Sequence, residues 1–214
     1  MTTSHDEAIR HLSAVDERLR ALIARTGPCL ITARAAETGH FEGLIRAITS
    51  QQLSTKAAAT IFARVKALGL DETGTLNPAT LLGRDETLLR GAGLSGQKTR
   101  YIRDVCEKVG SGALALDALH AIDDEAVIAA LCSVKGVGRW TAEMFLMFRL
   151  GRPDVLPVGD LGIQKGFMRL FGLEKMPTPE KMVKLAKPFR PHRSAMCWYL
   201  WRLTEEKATE TRGT

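Results

Sequence analysis

The stretch Leu131–Asp160, LCSVKGVGRWTAEMFLMFRLGRPDVLPVGD, decides how the rest of the chain is read. Its turn, Lys135 to Arg139, joins two segments whose apolar residues recur at helical spacing. Gly136 and Gly138 let the backbone of that turn come close to a partner. Gly138 leads straight into the second helix, so unpaired N–H groups of its first turn point outward, flanked by the positive charges of Lys135 and Arg139. A helix start of this kind is an anion site, with Val137 at its apex as part of the backbone cradle. After an irregular stretch, Val158-Gly159-Asp160 places one carboxylate at the start of a further helix. A phosphate anchor followed by a single carboxylate points to chemistry on a nucleic acid.

Composition agrees with a polyanionic partner. The 214 residues carry a net charge of +6, and the sequence pI is about 9.3. That length builds one large domain or two small ones. A hydrophobic content of 45 % fits a globular chain, and no tract is long enough to cross a membrane. The N-terminus, MTTSHDEAIRHL, is charged and amphipathic without an apolar signal segment, so a cytoplasmic location is expected, with the nucleoid as its site in a bacterium. Cys29, Cys106, Cys132 and Cys197 are too widely spaced for a zinc site or a redox pair and read as reduced thiols. The histidines form no metal-ligand pattern with acids or cysteines.

Helical periodicity dominates elsewhere. Ala8, Leu12, Val15, Leu19, Leu22 and Ile23 form one stripe; Ala58, Ile61, Phe62, Val65 and Leu68 another. Ile102, Val105, Cys106 and Val109 form a third, and Met196, Tyr199, Leu200 and Leu203 mark the last helix. Thr178-Pro179-Glu180 reads as N-cap, first-turn proline and first-turn acid, and Pro191 is expected to open the final helix in the same way. Strand-like alternation is missing, so the fold is expected to be all-α, with a polar tail after about Glu205. Gly93 to Arg100 opens a helix where Lys98 either helps cradle a second phosphate or is a solvated charge.

Gly-Val-Gly-Arg-Trp-Thr-Ala followed by Val-Gly-Asp resembles the helix-hairpin-helix DNA glycosylases, and within them the bacterial alkyladenine branch, 3-methyladenine DNA glycosylase II. The likeness runs from about Leu12 to about Trp201. It implies a central bundle over 36–152 carrying the hairpin at about 124–150, and a second lobe from 1–35 with 153–214. An extruded base would lie in the cleft between them. Asp160 would then be the catalytic carboxylate, stabilising the oxocarbenium-like sugar and orienting the attacking water; as a residue type it serves equally as an N-cap. Asp154 is the competing acid but lacks the motif position.

Relatives that also cut the strand carry a lysine nucleophile where this chain has Trp140, which implies water as nucleophile and an intact abasic strand. Lys135 and Lys98 are the substitutes that remain. Trp201 matches a base-stacking position, and Trp140 joins it as a pocket aromatic; Trp198 is either pocket or core. An aromatic face attracts a cationic alkylated base by ~0.5–2 kcal/mol. In Ile48 to Ser54 the resemblance places Gln52 as the wedge that fills the hole left by the flipped nucleotide, with Leu53 beside it. A leucine is expected there, so Gln52 is a departure; Ser54 as an N-cap with exposed glutamines is the other reading. The carbonyls of Cys132, Val134 and Val137 would hold a sodium or potassium ion against a DNA phosphate. Arg193-Ser194 would brace the second lobe, and His192 takes no catalytic role.

No other cofactor is expected, and the cysteine spacing excludes the iron–sulfur cluster of some relatives. The implied partner is double-stranded DNA with damaged bases, the protein acting as a monomer away from membranes. The implied activity is monofunctional release of 3-methyladenine and 7-methylguanine. Action on deaminated or oxidised bases, or a non-catalytic DNA-binding module, remain the alternatives.

Overall fold

The computed structural model describes residues 4–31 and 39–210, with side chains over 6–31 and 39–205. The boundary drawn at residue 36 and the side chains of the polar tail beyond Glu205 lie outside the described residues. The described regular structure is helical apart from one isolated bridge between Leu70 and Leu76. In chain order the helices are α1 Ser4–Val15, α2 Glu17–Thr26, α3 His40–Ser50, α4 Thr55–Gly69, α5 Pro78–Leu82, α6 Glu86–Gly91, α7 Gly96–Gly110, α8 Asp124–Cys132, α9 Arg139–Phe148, α10 Leu161–Leu170, α11 Pro179–Ala186 and α12 Arg193–Glu210. Packing divides the chain into two units, Met1–Ala35 with Leu146–Thr214, and Ala36–Phe145.

The first unit is built on α12, whose residues Ser194 to Leu200 are buried on every side. Helices α10, α2 and α1 pack on it and bury Leu12, Leu19, Leu22, Ile163, Phe167, Met196, Tyr199 and Leu200. α10 lies very close to α12, because a Cβ at Gly166 would fall 2.7 Å from Cβ of Leu200 and 3.0 Å from its carbonyl oxygen. The single N-terminal stripe is in fact two helices. Asp16 takes an extended backbone (φ −145°) and caps α2 by accepting from the N–H groups of Arg18 and Leu19, which ends α1 at Val15 and leaves that residue 39 % exposed. Pro191 does not open α12 either: it follows a cis Arg190–Pro191 bond, and the helix starts at Arg193. Thr178 does cap α11, accepting from the N–H of Lys181, with Pro179 in the first turn.

In the second unit α3 packs on α4 and α7, and α5 and α6 pack on α7. Leu44, Ile45, Ile48, Phe62, Val65, Leu81, Leu89, Ile102 and Val105 form its core. Ser54 and Ser95 cap α4 and α7 through their hydroxyls. The start of α7 and the α3–α4 turn lie beside the α8–α9 turn.

Candidate active site

In the first unit Asp160 sits at the N-cap of α10 with an extended backbone (φ −77°, ψ 121°). Its Oδ1 accepts from the N–H of Ile163 at 2.8 Å and from Nε1 of Trp201 at 2.9 Å. The loop leading to it is held too: the N–H of Asp160 donates to Pro157 O, and Nε2 of Gln164 donates to Val158 O. Capping and an indole N–H therefore converge on one oxygen of one carboxylate. Trp201 stacks on Phe148, centroids 5.8 Å apart and planes at 24°. Gly162 makes room for it, since a Cβ there would lie 2.8 Å from Cδ1 of Trp201. Trp201 was expected as a stacking surface; its hydrogen bond to Asp160 and its stack on Phe148 are additions no local pattern announces. Trp201→Phe keeps the stack but removes the donor, and is expected to lower turnover roughly tenfold, within the reach of a lost hydrogen bond to a charged group, with duplex binding nearly unchanged in a fluorescence-anisotropy titration.

Asp154 is not placed for chemistry. Burial would raise its carboxyl, but Arg193 and Arg190 outweigh that and hold it below the usual range. Arg193 Nε donates to it at 2.6 Å and Arg190 Nε at 2.9 Å. Ser194 Oγ donates to Arg152 O and accepts from the N–H of Val155, so this cluster ties the 152–155 loop to the start of α12. Trp198 is a core residue, 9 % exposed, edge-on to Tyr199 and covered by the guanidinium of Arg202. Of the pocket and core readings of Trp198, this burial accords with the core.

The second unit holds the hairpin. Gly136 adopts φ +79°, and a Cβ there would overlap the Tyr101 ring. Asp104, buried in α7, accepts from the N–H of Lys135 at 2.9 Å and pairs with Lys108 at 2.8 Å. Desolvation raises its carboxyl, and Lys108 with the Lys135 N–H more than reverse that, so it stays ionised. The N–H of Val137 donates to Val134 O, and that of Ala142 to Gly138 O as α9 begins. The side chain of Lys135 is 72 % exposed, its Nζ 3.7 Å from Asp104. Arg139, expected at phosphate, instead spans two carboxylates, Glu125 at 3.0 Å and buried Glu143 at 3.1 Å. Trp140, in the first turn of α9, is 49 % exposed.

Beside the hairpin, Ser50 to Leu53 form a type II turn. Gln51 has φ −53° and ψ 131°; Gln52 has φ +57°; and the N–H of Leu53 donates to Ser50 O at 3.3 Å. Gln52 is exposed and Leu53 is 38 % exposed. Gln51 Nε2 donates to Gly136 O at 2.9 Å, joining the turn to the hairpin. Lys98, expected at phosphate, gives its ammonium to Thr49 O at 2.7 Å and Gln51 O at 2.6 Å, and desolvation lowers its pKa. Asp104, Tyr101 and Gln51 were not anticipated, and their partners are distant in sequence.

Cys29, Cys106 and Cys197 are buried and Cys132 is exposed. Burial pushes the Cys29 thiol up to about 11 and that of Cys106 to about 12, which makes both unreactive. Among the described residues no group of three or more His, Cys, Asp or Glu could hold a metal ion.

Residues 45–191, which span both the hairpin and Asp160, match the HhH-GPD superfamily of base excision DNA repair proteins. This chain belongs to that superfamily. It is 33 % identical over 202 residues to the alkylbase DNA glycosidase-like protein of Schizosaccharomyces pombe, covering 94 % of each chain. It is 34 % identical over 207 residues to DNA-3-methyladenine glycosylase 1 of the same organism, covering 96 % of this chain and 90 % of that one. Its fold is similar to the S. pombe 3-methyladenine DNA glycosylase solved with abasic DNA, with TM-score 0.78, 34 % identity, and coverage of 93 % and 97 %. It is also similar to a Bacillus halodurans DNA-3-methyladenine glycosidase, with TM-score 0.81, 37 % identity, and coverage of 95 % and 91 %. The all-α reading is that of this HhH-GPD fold.

Proposed function

We propose that this HhH-GPD protein is a monofunctional DNA glycosylase that hydrolyses the N-glycosidic bond of alkylated purines, chiefly 3-methyladenine and 7-methylguanine, in double-stranded DNA. The observation that carries it is the carboxylate of Asp160, fixed through one oxygen by the N-terminus of α10 and by Trp201. As the base departs, positive charge grows on the sugar, and a preorganised carboxylate stabilises it without reorganising. The same group orients the attacking water. An N-alkylated purine leaves as a cation turned neutral, so little general-acid help is needed. The relatives described as alkylbase and 3-methyladenine glycosylases support this substrate class.

Trp140 occupies the position of the strand-cutting lysine, which leaves water as nucleophile. The N–H groups of Gly136 and Gly138, with exposed Lys135, would hold a phosphate, the N–H of Val137 being taken by Val134 O. A sodium or potassium ion would be held by the carbonyls of Cys132, Val134 and Val137; the Val134 oxygen accepts one N–H and has a second lone pair for it. Gln52, with Leu53, would fill the gap left by the flipped nucleotide.

Incubation with methylated duplex DNA tests the reading. Chromatography should show free 3-methyladenine and 7-methylguanine, with strand breaks appearing only after alkali and no borohydride-trapped adduct. Breaks before alkali would overturn the monofunctional assignment. Release of hypoxanthine or an oxidised base alone would overturn the lesion class, and binding without release would leave a DNA-binding module.

A further inference from the structure

We propose that Lys98 is a positioning residue: its ammonium, shared between the carbonyls of Thr49 and Gln51, selects the type II turn at Ser50–Leu53 and so fixes the direction in which Gln52 is presented. The inference rests on the reading of Gln52 as the wedge.

A type II turn needs positive φ at its third residue, where glycine or asparagine is usual. Here that residue is Gln52, with φ +57°. Rotation of the single peptide between Gln51 and Gln52 converts type II to type I, brings φ of residue 52 back to negative values and redirects its side chain. The oxygen of that peptide is the one Lys98 holds, at 2.6 Å. Flipping it would break a charge-assisted hydrogen bond. The second bond, to Thr49 O at 2.7 Å, anchors the ammonium to the C-terminal end of α3, where carbonyls lack intrahelical partners. The side chain of Gln51 is meanwhile fixed to Gly136 O. The turn is thus held at its backbone by α7 and at its side chain by the hairpin, and the left-handed residue is the one exposed to a partner. An ammonium given to two carbonyls keeps one N–H, so holding the turn and contacting a phosphate are separate roles that salt dependence distinguishes.

The test is Lys98→Met, alone and combined with Gln52→Asn, because asparagine tolerates the left-handed region best among non-glycine residues. Lys98→Met should slow single-turnover release of 3-methyladenine from duplex DNA roughly tenfold. It should leave the salt dependence of duplex binding unchanged, and its crystal structure should show Gln52 at negative φ. Adding Gln52→Asn should restore positive φ at residue 52 in the crystal structure. A crystal structure of Lys98→Met with Gln52 still at positive φ would overturn the proposal. So would a fall of about 0.9 in the slope of log binding constant against log salt, the signature of one lost phosphate contact. If the unaltered protein released no base, the glycosylase reading would fall, while the turn geometry of Lys98→Met would still decide the role of Lys98.

Discussion

Asp160→Asn should lower base release from methylated duplex DNA by roughly 10²–10³-fold, or ~3–4 kcal/mol of transition-state stabilisation, while duplex binding persists. Asparagine is chosen because it separates charge from geometry. It is as good an N-cap as aspartate, so the N–H of Ile163 keeps an acceptor and α10 keeps its start. Its side-chain oxygen still accepts from Nε1 of Trp201. Only the negative charge is lost, and in the proposed mechanism it is that charge that stabilises the developing oxocarbenium. Asp160→Ala removes charge, cap and the indole's acceptor together, and should additionally cost about 1 kcal/mol of stability. Single-turnover rates with parallel anisotropy titrations measure the effect. If Asp160→Asn released base at the wild-type rate, Asp160 would be an N-cap and nothing more.

How far these residues could be read in advance depends on how local their physics is. The caps at Ser54, Asp160 and Thr178 were legible because an N-cap is bonded to a residue three positions on. The break at Asp16 was hidden because the apolar stripe runs through it unchanged, while the event that splits the helix is a side chain accepting from the N–H groups of Arg18 and Leu19. The helices α5 and α6 are too short to show a period. The charges were visible but their partners were not. Arg139 and Lys98 both read as phosphate ligands, yet one is taken up by Glu125 and Glu143 and the other by carbonyls 49 and 47 residues away. The site behaves the same way: Asp160 was legible as a motif, whereas the indole that orients it lies 41 residues further on and meets it only through the α10–α12 packing. Composition reports that a cation is present, and only tertiary structure reports what it holds.

Gly136→Ala should be the most destabilising single-methyl change at the hairpin, at ~3–4 kcal/mol, because two independent costs fall on one atom. The first is the backbone: φ is +79°, where an L-residue loses roughly 1–2 kcal/mol. The second is space: the added Cβ would lie 2.1 Å from Cδ2 and 2.2 Å from Cε2 of Tyr101, so the ring or the turn must move, an overpacking worth about 1–3 kcal/mol. A fall in melting temperature of roughly 10 °C is expected by calorimetry. The two costs can be separated. Tyr101→Ala opens the space but not the backbone conformation, so Gly136→Ala should cost less in the Tyr101→Ala background than in the wild type, and the cost that remains measures the backbone share. Equal costs in both backgrounds would show that the ring yields freely and that backbone conformation alone demands glycine. Function should follow the turn rather than the melting temperature. The carbonyl of Gly136 is the acceptor that holds Gln51, so a shifted turn releases the Ser50–Leu53 turn, proposed to carry the wedge, as well as the hairpin N–H groups proposed to hold a phosphate. Gly136→Ala should therefore weaken duplex binding at temperatures where the protein is still fully folded.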